Sequence, residues 1–479
     1  MNKCRINHAI IALILVVAIC ASAVSCAFYT REEGTTSTTT TTTTTTTTVS
    51  SPSIEDPFDQ NEATGELTPS TLYLIDLLFQ TLALKDYDQE EALVSAIRAY
   101  LLATGDKYAA YYTPEEMKEN TSENSGDLYG IGVTIVFDYE TLALEVVSIV
   151  PDSPASKHLM VGDMVTEFYD GTEFVRITDL VEQYKEKYRE SYDDEEFIHD
   201  NAAYDAYLDT IAAVKGEEGT IARFKINRDG QTLEMNIERA KVKTISVSYR
   251  TSVKEPSVGL LYIESFNLTT PAQFKEAMDA LIAQGVEKFI FDVRNNPGGD
   301  LASVVAVLST ILNEGDAILS TQDVNGNKSV TKVHPISYTP PKEGEADYTT
   351  CNVAVEEIGK YHGYEMVVLT NENSASAAEL FTAALRDYDL AEIVGVKTFG
   401  KGSMQSIIPL SYYGNTYVGA IKLTTKLYFP PCGEGYDGGI GLTPDSPVEL
   451  SEEAASVHFL KLTEDIDNQL QKAISLLVD

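Results

Sequence analysis

The order of elements between residues 258 and 396 constrains the fold more than any other feature of this chain. Short apolar runs predict buried strands at Val258–Ile263, Lys288–Val293, Met366–Thr370 and Ile393–Val396, and helix-like stretches separate them. Such alternation is typical of an α/β domain. In open α/β folds ligands bind where the strands end, so we expect functional residues in the loops that follow them.

Helix signals fill the intervals between these strands. Thr270–Gln273 matches a capping box with Pro271 at the first helical position, and Gly285 ends that helix. Further helices are predicted at Leu301–Leu312 and Ala377–Tyr388.

The preceding part of the chain has a two-residue period that predicts short strands. These strands lie within residues 133–149, at Thr220–Ile226 and at Thr232–Glu238. Between them, the acidic and tyrosine-rich stretch Ile177–Val214 predicts helices inserted into a small β domain. Its run Asp193–Glu196 is expected to be a solvated face.

The remaining signals are local. Apolar residues at helical spacing predict two helices within residues 67–104, and Thr113–Glu116 predicts the start of another. Asn325-Gly326 predicts a hairpin turn. Residues 334–364 are polar and predict a surface excursion, and a final helix is predicted at about 464–477.

Composition excludes several functional classes. The 479 residues suggest about three domains, and 73 acidic against 35 basic residues give a net charge of −38. So acidic a surface disfavours nucleic-acid partners and a polybasic membrane patch. The five cysteines form no CxxC pair and the six histidines no HExxH motif, so neither a metal nor a cofactor is expected.

The first fifty residues predict export. Lys3 and Arg5 precede the apolar segment Ala9–Ala23, which is typical of a signal peptide. The following Cys26 resembles the lipidated cysteine of a bacterial lipobox, with ordinary cleavage or an uncleaved anchor as the alternatives. All three interpretations, lipidation, ordinary cleavage and an uncleaved anchor, place the rest of the chain outside the cytoplasm. The unbroken run Thr38–Thr48 predicts a flexible spacer.

Three segments carry candidate chemistry. In NENSASAAEL, Ser376 lies between a buried strand and a helix, where unpaired N–H groups favour an oxyanion, although Ser376 could also be a plain N-cap. In TFGKGSMQS, Lys401 lies between two glycines. A serine needs a base, and a lysine serves if burial lowers its pKa to about 7–8. Gln405 could orient its amine.

The third segment, RNNPGG, also follows a buried strand. Its glycines allow a positive φ and an exposed N–H. Gly298 or Gly299 could therefore supply one oxyanion donor and the N–H of Ala377 the other. A plain strand-to-helix turn is the alternative.

Taken together and in order, these segments resemble the C-terminal processing peptidases, or tail-specific proteases. GDKYAAYYTPEEM, LYGIGVTI with VPDSPASKHLMVGDMVTEFYDG, and FDVRNNPGG, NSASAAEL, TFGKGSMQ and GIGLTPD are each similar to a family segment. The resemblance implies a Ser/Lys dyad with nucleophile Ser376, general base Lys401 and assisting Gln405. It also implies an α/β protease core of crotonase/ClpP-like fold, a small mainly-β PDZ domain and an N-terminal helical segment.

In such a PDZ domain, a glycine-rich loop presents N–H groups to a peptide carboxylate. Here that loop is Tyr129-Gly130-Ile131-Gly132. The implied partners are proteins with accessible C-terminal tails, a membrane reached through a lipid anchor, and a second copy of the chain in a homo-oligomer. A PDZ scaffold without catalysis is the alternative function.

The chain departs from the family pattern in places. Ala378 replaces the last serine of the nucleophile string, and Ile177–Val214 and 334–364 are insertions. Cys351 and Cys432 could pair or remain two free buried thiols. The predicted domains are residues 1–26 (signal peptide), 27–65 (spacer), 66–125 (N-terminal helical region), 126–245 (PDZ domain with acidic insert), 246–450 (peptidase core) and 451–479 (C-terminal helical segment).

Overall fold

The computed structural model describes residues 69–83, 86–138, 141–189, 192–337, 349–412 and 416–478. The predicted signal peptide, the threonine spacer and Cys26 lie outside these ranges. The described residues form two compact units, of which the smaller ends at Tyr111 and the larger begins at Tyr112. In these ranges no helix has both the length and the apolar character needed to cross a bilayer.

The smaller unit contains the two helices predicted from the apolar spacing. They are α1 (Pro69–Leu82) and α2 (Gln89–Ala103). The carboxylate of Asp88 caps α2 by accepting the N–H of Glu91 at 3.0 Å, which satisfies one of the unpaired donors at the helix start. A short strand, β1 (Ala110–Tyr112), follows.

The larger unit opens with helix α3 (Pro114–Asn124), which begins as predicted. Thr113 and Glu116 form a reciprocal capping box, with bonds of 2.9 and 3.2 Å. A small antiparallel sheet in the order β3-β4-β5-β7-β8 follows, with β6 beside β5, while β2 pairs with β9. These strands are β2 (Asp127–Gly130), β3 (Val133–Asp138), β4 (Ala143–Ile149), β5 (Met164–Tyr169), β6 (Phe174–Arg176), β7 (Ile221–Arg228), β8 (Gln231–Glu238) and β9 (Ala240–Lys243).

The acidic stretch between β6 and β7 contains the expected helices, α4 (Ile177–Arg189) and α5 (Glu195–Val214). Two tyrosines of α4 donate to aspartates of α5: Tyr184 to Asp209 at 2.7 Å and Tyr188 to Asp205 at 2.9 Å. Hydrogen bonds from tyrosine hydroxyls to aspartate carboxylates therefore join α4 to α5, which accounts for the acidic and tyrosine-rich composition of this stretch.

The core of the larger unit is a six-stranded sheet in the order β10-β11-β12-β15-β16-β19. Within this sheet β11, β12, β15, β16 and β19 run parallel, and β10 is an antiparallel edge. This sheet and its helices are β10 (Val247–Thr251), β11 (Val258–Ile263), α6 (Thr270–Ala283), β12 (Lys288–Asp292), α7 (Leu301–Ser309), β15 (Glu365–Thr370), α8 (Ala377–Asp387), β16 (Ala391–Gly395), β19 (Ser446–Pro447), α9 (Glu452–Ala455) and α10 (Asn468–Val478).

Helices cover both faces of this sheet. Phe289 and Phe291 of β12 belong to the cluster formed with α6, α7 and α8, whereas Ile290 faces the cluster containing Leu470 and Ile474 of α10. Because consecutive strand residues point to opposite faces, a strand covered on both sides is apolar throughout. This explains the unbroken apolar runs of the sequence.

A second, antiparallel sheet contains β13 (Ala317–Asp323), β14 (Lys328–Lys332), β17 (Ser403–Tyr412) and β18 (Thr416–Phe429). The hairpin between β13 and β14 turns at Asn325-Gly326 as predicted, and Gly326 has a φ of +80°. Sequence reasoning did not predict the long hairpin of β17 and β18.

The capping box predicted at Thr270–Gln273 is wrong. Helix α6 starts at Thr270, so its N-cap is Thr269. The Thr270 hydroxyl donates to the carbonyl of Ser265, and Gln273 accepts the N–H groups of Ser246 and Val247. The Gln273 side chain therefore joins this helix to β10, and the Thr270 side chain joins it to the segment after β11.

The interpretation of residues 334–364 as a surface excursion is also wrong for three of the described residues, although His334 and Val355 are exposed as expected. Cys351 and Val353 are buried with Leu268 and Ala306, and Tyr361 is buried in the main core. Both described cysteines are free, and Cys432 is exposed rather than buried. They therefore neither pair nor form two buried thiols.

Residues 464–467 precede the C-terminal helix rather than forming its first turn as predicted. The Glu464 carboxylate accepts the Ser252 hydroxyl at 2.6 Å and the N–H groups of Val253 and Lys254 at 2.9 and 3.0 Å. Burial opposes ionisation, but these bonds and Arg250 outweigh it and lower the Glu464 pKa from 4.5 to about 2.

Replacing this carboxylate should destabilise the larger unit in a pH-dependent way. Because the folded-state pKa is depressed, the stabilisation is complete above pH 4.5 and is lost as pH falls toward 2. We expect Glu464→Gln to reduce the free energy of unfolding by roughly 3 kcal/mol at pH 7 and by progressively less below pH 4.5. Urea titrations from pH 7 to pH 3 measure this.

Asp465→Asn is the matched control, because that carboxylate is exposed and pairs only at the surface with Lys254. It should change the free energy of unfolding by less than about 0.5 kcal/mol. A Glu464→Gln deficit that stays constant with pH would contradict the assignment.

Candidate active site

Three loops meet at one edge of the six-stranded sheet because the strands before them are parallel neighbours. Residues 293–299 follow β12, residues 371–376 follow β15 and residues 396–401 follow β16. The carboxyl ends of parallel strands lie at the same edge. The topology therefore brings together RNNPGG, NENSAS and TFGK, which are far apart in sequence.

Ser376 lies at the turn between β15 and α8 in an unfavourable conformation, with φ +55° and ψ −115°. Its hydroxyl makes no capping hydrogen bond to the helix. A non-glycine residue in such a region costs about 1–3 kcal/mol unless surrounding contacts hold it there. Ser376 thus occupies the N-cap position without the capping bond that the plain structural interpretation requires.

Asparagines hold the first two loops against each other. Asn295, which has a φ of +62°, accepts the side-chain amides of Asn371 and Asn373 at 2.7 and 3.0 Å. The N–H of Ala375 donates to the carbonyl of Asn296 at 2.9 Å. The residue before the candidate nucleophile is therefore fixed by the loop that follows the neighbouring strand.

Gly298 lies directly against the serine turn. With φ at +102°, a β-carbon at this position would lie 2.7 Å from Ser376 Cβ and 2.9 Å from the nitrogen of Ala377. Its N–H donates to Asn296 Oδ1 at 2.8 Å. Among the described residues, the N–H groups of Gly299 and Ala377 have no hydrogen-bond acceptor. Of the predicted oxyanion donors, Gly299 and Ala377 thus keep their N–H available.

The buried carboxylate of Glu379 joins the serine turn to the lysine turn. Its Oε2 accepts the N–H groups of Ser376 at 2.9 Å and Lys401 at 2.8 Å. Its Oε1 accepts the Thr398 hydroxyl at 2.6 Å and the N–H of Gly400 at 2.7 Å. The backbone nitrogens of Ser376 and Lys401 are therefore close together, because both donate to the same carboxylate oxygen.

The four donors around Glu379 also indicate the charge state of its carboxyl group. Glu379 is fully buried, and burial raises its pKa above 4.5 although the hydrogen bonds act to lower it. The Thr398 hydroxyl accepts the N–H of Leu442 at 2.7 Å, so its own proton points to Glu379. Each carboxylate oxygen therefore meets two donors, an arrangement that fits the ionised form.

Lys401 is half-buried, and its flanking glycines permit close packing. A β-carbon on Gly400 would lie 2.6 Å from Gly439 Cα, and one on Gly402 3.0 Å from Asp437 Cβ. The N–H of Gly402 donates to Asp437 Oδ1 at 2.8 Å. Side chains at either glycine would push the segment 437–441 away from the lysine.

Gln405 lies on β17, and its side-chain amide donates to the hydroxyls of Ser403 and Thr424 at 3.3 and 3.2 Å. The structure therefore places Gln405 on the strand that leaves the lysine turn, with its amide nitrogen engaged by neighbouring hydroxyls.

Sequence reasoning missed two residues of this site. Glu379 was recognised only as half of a capping box, and Tyr428 was not identified. The Tyr428 hydroxyl donates to the carbonyl of Lys401 at 2.6 Å. No alternation along β18 marks this residue, since the preceding Lys426 and Leu427 are both exposed.

Of the predicted peptide-binding loop, residues 129–132, Tyr129 and Gly130 end β2, and Ile131 and Gly132 connect it to β3. Ile131 is buried, its carbonyl accepts the N–H of Ala155 at 2.8 Å, and the carbonyl of Gly132 accepts that of Val150 at 3.0 Å. In the described ranges, the N–H groups of Ile131 and Gly132 donate to no acceptor. Within these same ranges, no group of three or more metal-binding side chains occurs.

Residues 257–448 match the model of peptidase family S41, and the resemblance to the C-terminal processing peptidases is confirmed.

Two curated relatives give the extent of the similarity. A protein named "Probable CtpA-like serine protease" from Staphylococcus epidermidis is 28% identical over 382 residues, covering 78% of this chain and 65% of the relative. The "Carboxy-terminal-processing protease" of Bartonella bacilliformis is 28% identical over 372 residues, covering 76% and 70%. This chain thus spans about two thirds of their length.

A solved structure of the photosystem II D1 C-terminal processing protease is 21% identical, with a TM-score of 0.40, covering 78% of this chain and 86% of that one.

Removing the Glu379 charge should loosen the site. Glu379→Gln places an amide N–H₂ against backbone N–H groups and leaves them unsatisfied, so we expect the free energy of unfolding to fall by about 2–4 kcal/mol. Urea denaturation measures the change. Glu372→Gln makes the same chemical change at an exposed position in the same loop and should alter stability by less than about 0.5 kcal/mol. Equal midpoints for the two variants would contradict the assignment.

Proposed function

We propose that this protein is a serine endopeptidase that acts outside the cytoplasm and cleaves proteins through a Ser376/Lys401 dyad. One observation carries the proposal: a single carboxylate oxygen of Glu379 binds the backbone N–H groups of both residues. The S41 match of residues 257–448 supports the same reaction class. We further propose that the core has the crotonase/ClpP-like fold.

In the proposed reaction, the neutral amine of Lys401 takes the proton of the Ser376 hydroxyl while the serine oxygen attacks a peptide carbonyl. The tetrahedral intermediate then collapses, the leaving amine receives the proton, and an acyl-enzyme remains. Water repeats the sequence and releases the acid. Gln405 assists by orienting the lysine.

The negative charge that develops on the carbonyl oxygen needs two donors. Ala377, in the first turn of α8, supplies one. Gly299 is the better candidate for the second, because the N–H of Gly298 already donates to Asn296. Gly298 would then serve mainly by its lack of a side chain, since any β-carbon there would collide with Ser376.

Both members of the dyad should be needed for activity. We expect Ser376→Ala and Lys401→Ala each to reduce kcat/KM on denatured casein by at least about 1,000-fold. Lys401→Arg should be equally inactive, because an arginine does not release its proton. Wild-type activity should rise with pH as the neutral lysine becomes populated. Initial rates between pH 5 and 10 measure both effects.

Lys328→Ala is the control for loss of a lysine, since Lys328 is exposed on β14. It should retain activity within twofold. Undiminished cleavage by the Ser376 or Lys401 variants would refute the dyad, and a folded wild-type protein without cleavage would favour a catalytically inactive PDZ scaffold.

We also propose that residues 126–245 form a PDZ domain that captures apolar, disordered C-terminal tails. The unengaged N–H groups of Ile131 and Gly132 support this, since a carboxylate needs such donors. A cavity of about 540 Å³ lies beside Gly132, and in its lining three lysines, Lys157, Lys241 and Lys243, outnumber the two acidic residues, Asp152 and Glu238. In a chain of net charge −38, these cations would favour a carboxylate locally.

The tail carboxylate should therefore matter to cleavage. Amidating the C-terminus of an unstructured substrate with an apolar tail should reduce kcat/KM by about tenfold, because loss of the charge removes the charge-assisted hydrogen bonds. Rates on the acid and amide forms of one fluorogenic peptide give the ratio. Equal cleavage rates for the two forms would show that the tail carboxylate is not recognised.

For location, we propose that the chain is exported and anchored through lipid on Cys26, with residues 27–65 as a spacer. The apolar segment before the cysteine and the unbroken threonine run support this. The proposed partners are protein tails, the membrane and a second copy of the chain, and nucleic acid is not among them.

A further inference from the structure

The outer edge of strand β3 is open beside the proposed carboxylate loop. Among the described residues β3 pairs only with β4, so it forms one edge of the small sheet. It starts at Val133, directly after Ile131 and Gly132, whose N–H groups donate to no acceptor in the described ranges. An extended peptide can add a strand to such an edge. A tail whose carboxylate reaches these two N–H groups then runs antiparallel to β3.

The inward-facing side chains of β3 form one apolar row. Successive strand residues point to opposite faces, so Val133, Ile135 and Phe137 share a face, and all three lie in or against the apolar cluster that contains residues of α4 and α5. Residues opposite each other in a sheet point to the same face. The last, third-last and fifth-last side chains of an added tail would therefore lie along this row.

This row is open at one end and covered at the other. Val133 and Ile135, nearest the loop, are only half-buried, whereas Phe137 is 7% exposed. The ring of Tyr207, on helix α5, packs edge-on against Phe137 with ring centroids 6.2 Å apart, and Tyr207 is itself 6% exposed. Tyr207 therefore covers the end of the row that lies farthest from the loop.

Helix α5 is fixed in this position by the core of the small sheet. Ala202, Ala203 and Ala206 are fully buried there, and their small side chains allow the helix to approach closely. The hydrogen bonds from Tyr184 and Tyr188 of α4 to aspartates of α5 add to this packing. The helix is therefore a packed wall of the domain and not a loosely attached addition to it.

We propose that α5, through Tyr207, closes the tail-binding edge at Phe137 and so confines recognition to the last three residues of the substrate. This inference rests on the proposed function and names its substrate class, which is unstructured proteins with apolar side chains at the last and third-last positions. The row offers Val133 and Ile135 to these two side chains. The fifth-last side chain finds Tyr207 in its place and contributes nothing to binding.

Fluorogenic peptides of one length and one internal sequence, differing only in the tail, test the wild type. We expect aspartate in place of leucine at the last or the third-last position to reduce kcat/KM by about tenfold or more, because it places a charge against apolar side chains. Leucine in place of alanine at the fifth-last position should change kcat/KM by less than about twofold. A larger wild-type preference for leucine there would overturn the proposal.

Tyr207→Ala should create the missing position. Removing the ring leaves an apolar space beside Phe137, so we expect this variant to prefer leucine over alanine at the fifth-last position by about tenfold. Loss of stability does not produce a new preference at one position only. Tyr207→Phe keeps the ring and should retain the wild-type pattern. Leu208→Ala, a truncation at the exposed next residue of α5, is the matched control and should also retain it.

The outcomes separate this inference from the proposed function. If folded wild type cleaves none of the peptides, the proposed function fails and the inference fails with it. If wild type shows the expected tail preferences but Tyr207→Ala prefers leucine no more than Leu208→Ala does, the role of α5 alone is overturned. Should thermal denaturation show that Tyr207→Ala is unfolded, Tyr207→Leu replaces it, because leucine is apolar but shorter than the ring. That variant must then prefer leucine by at least about threefold.

Discussion

The Glu379 carboxylate is the constraint on which the arrangement of the site depends. Three backbone N–H groups and one hydroxyl converge on it from the two turns that follow the paired strands β15 and β16. Backbone donors cannot rotate away, so the carboxylate fixes both turns with one rigid group. It also offsets the backbone strain at Ser376. The positive φ of Ser376 persists because its N–H donates to Glu379 and the N–H of the preceding Ala375 donates to the carbonyl of Asn296.

The sheet supplies the framework for this constraint. Parallel order across β12, β15 and β16 brings three loops to one edge, and the asparagines of the first two loops then bond to each other. Glycines complete the approach: Gly298 lies against the serine turn, and Gly400 against segment 437–441. The packing thus holds the backbone of Ser376 beside Gly298 and beside the lysine turn, and it leaves no space for side chains at the two glycines.

Much of this was predictable from local pattern. The strands and helices between residues 258 and 396 follow from apolar runs and helix signals, and the motifs around Ser376, Lys401 and Gly298 follow from the residue types that such chemistry needs. Tyr428 was not predictable in the same way, because its partners lie 27 residues or more away and depend on the pairing of a hairpin. Glu379 was recognised only as half of a capping box, a pattern that predicts its bond to Ser376 but not its bonds to the lysine turn. The error at Thr270 has a similar cause, since tertiary contacts took the side chains that a local cap would use.

Arg294, at the start of the RNNPGG loop, is buried between Asp292 and the far end of the chain, where it donates to Asp467 at 2.7 Å and to Gln469 at 3.0 Å. The loop beside the nucleophile therefore acquires its last anchors only after residue 469 has been synthesised. A chain still emerging from a ribosome lacks them. The anchoring of this loop therefore depends on a segment that is synthesised 173 residues after Arg294.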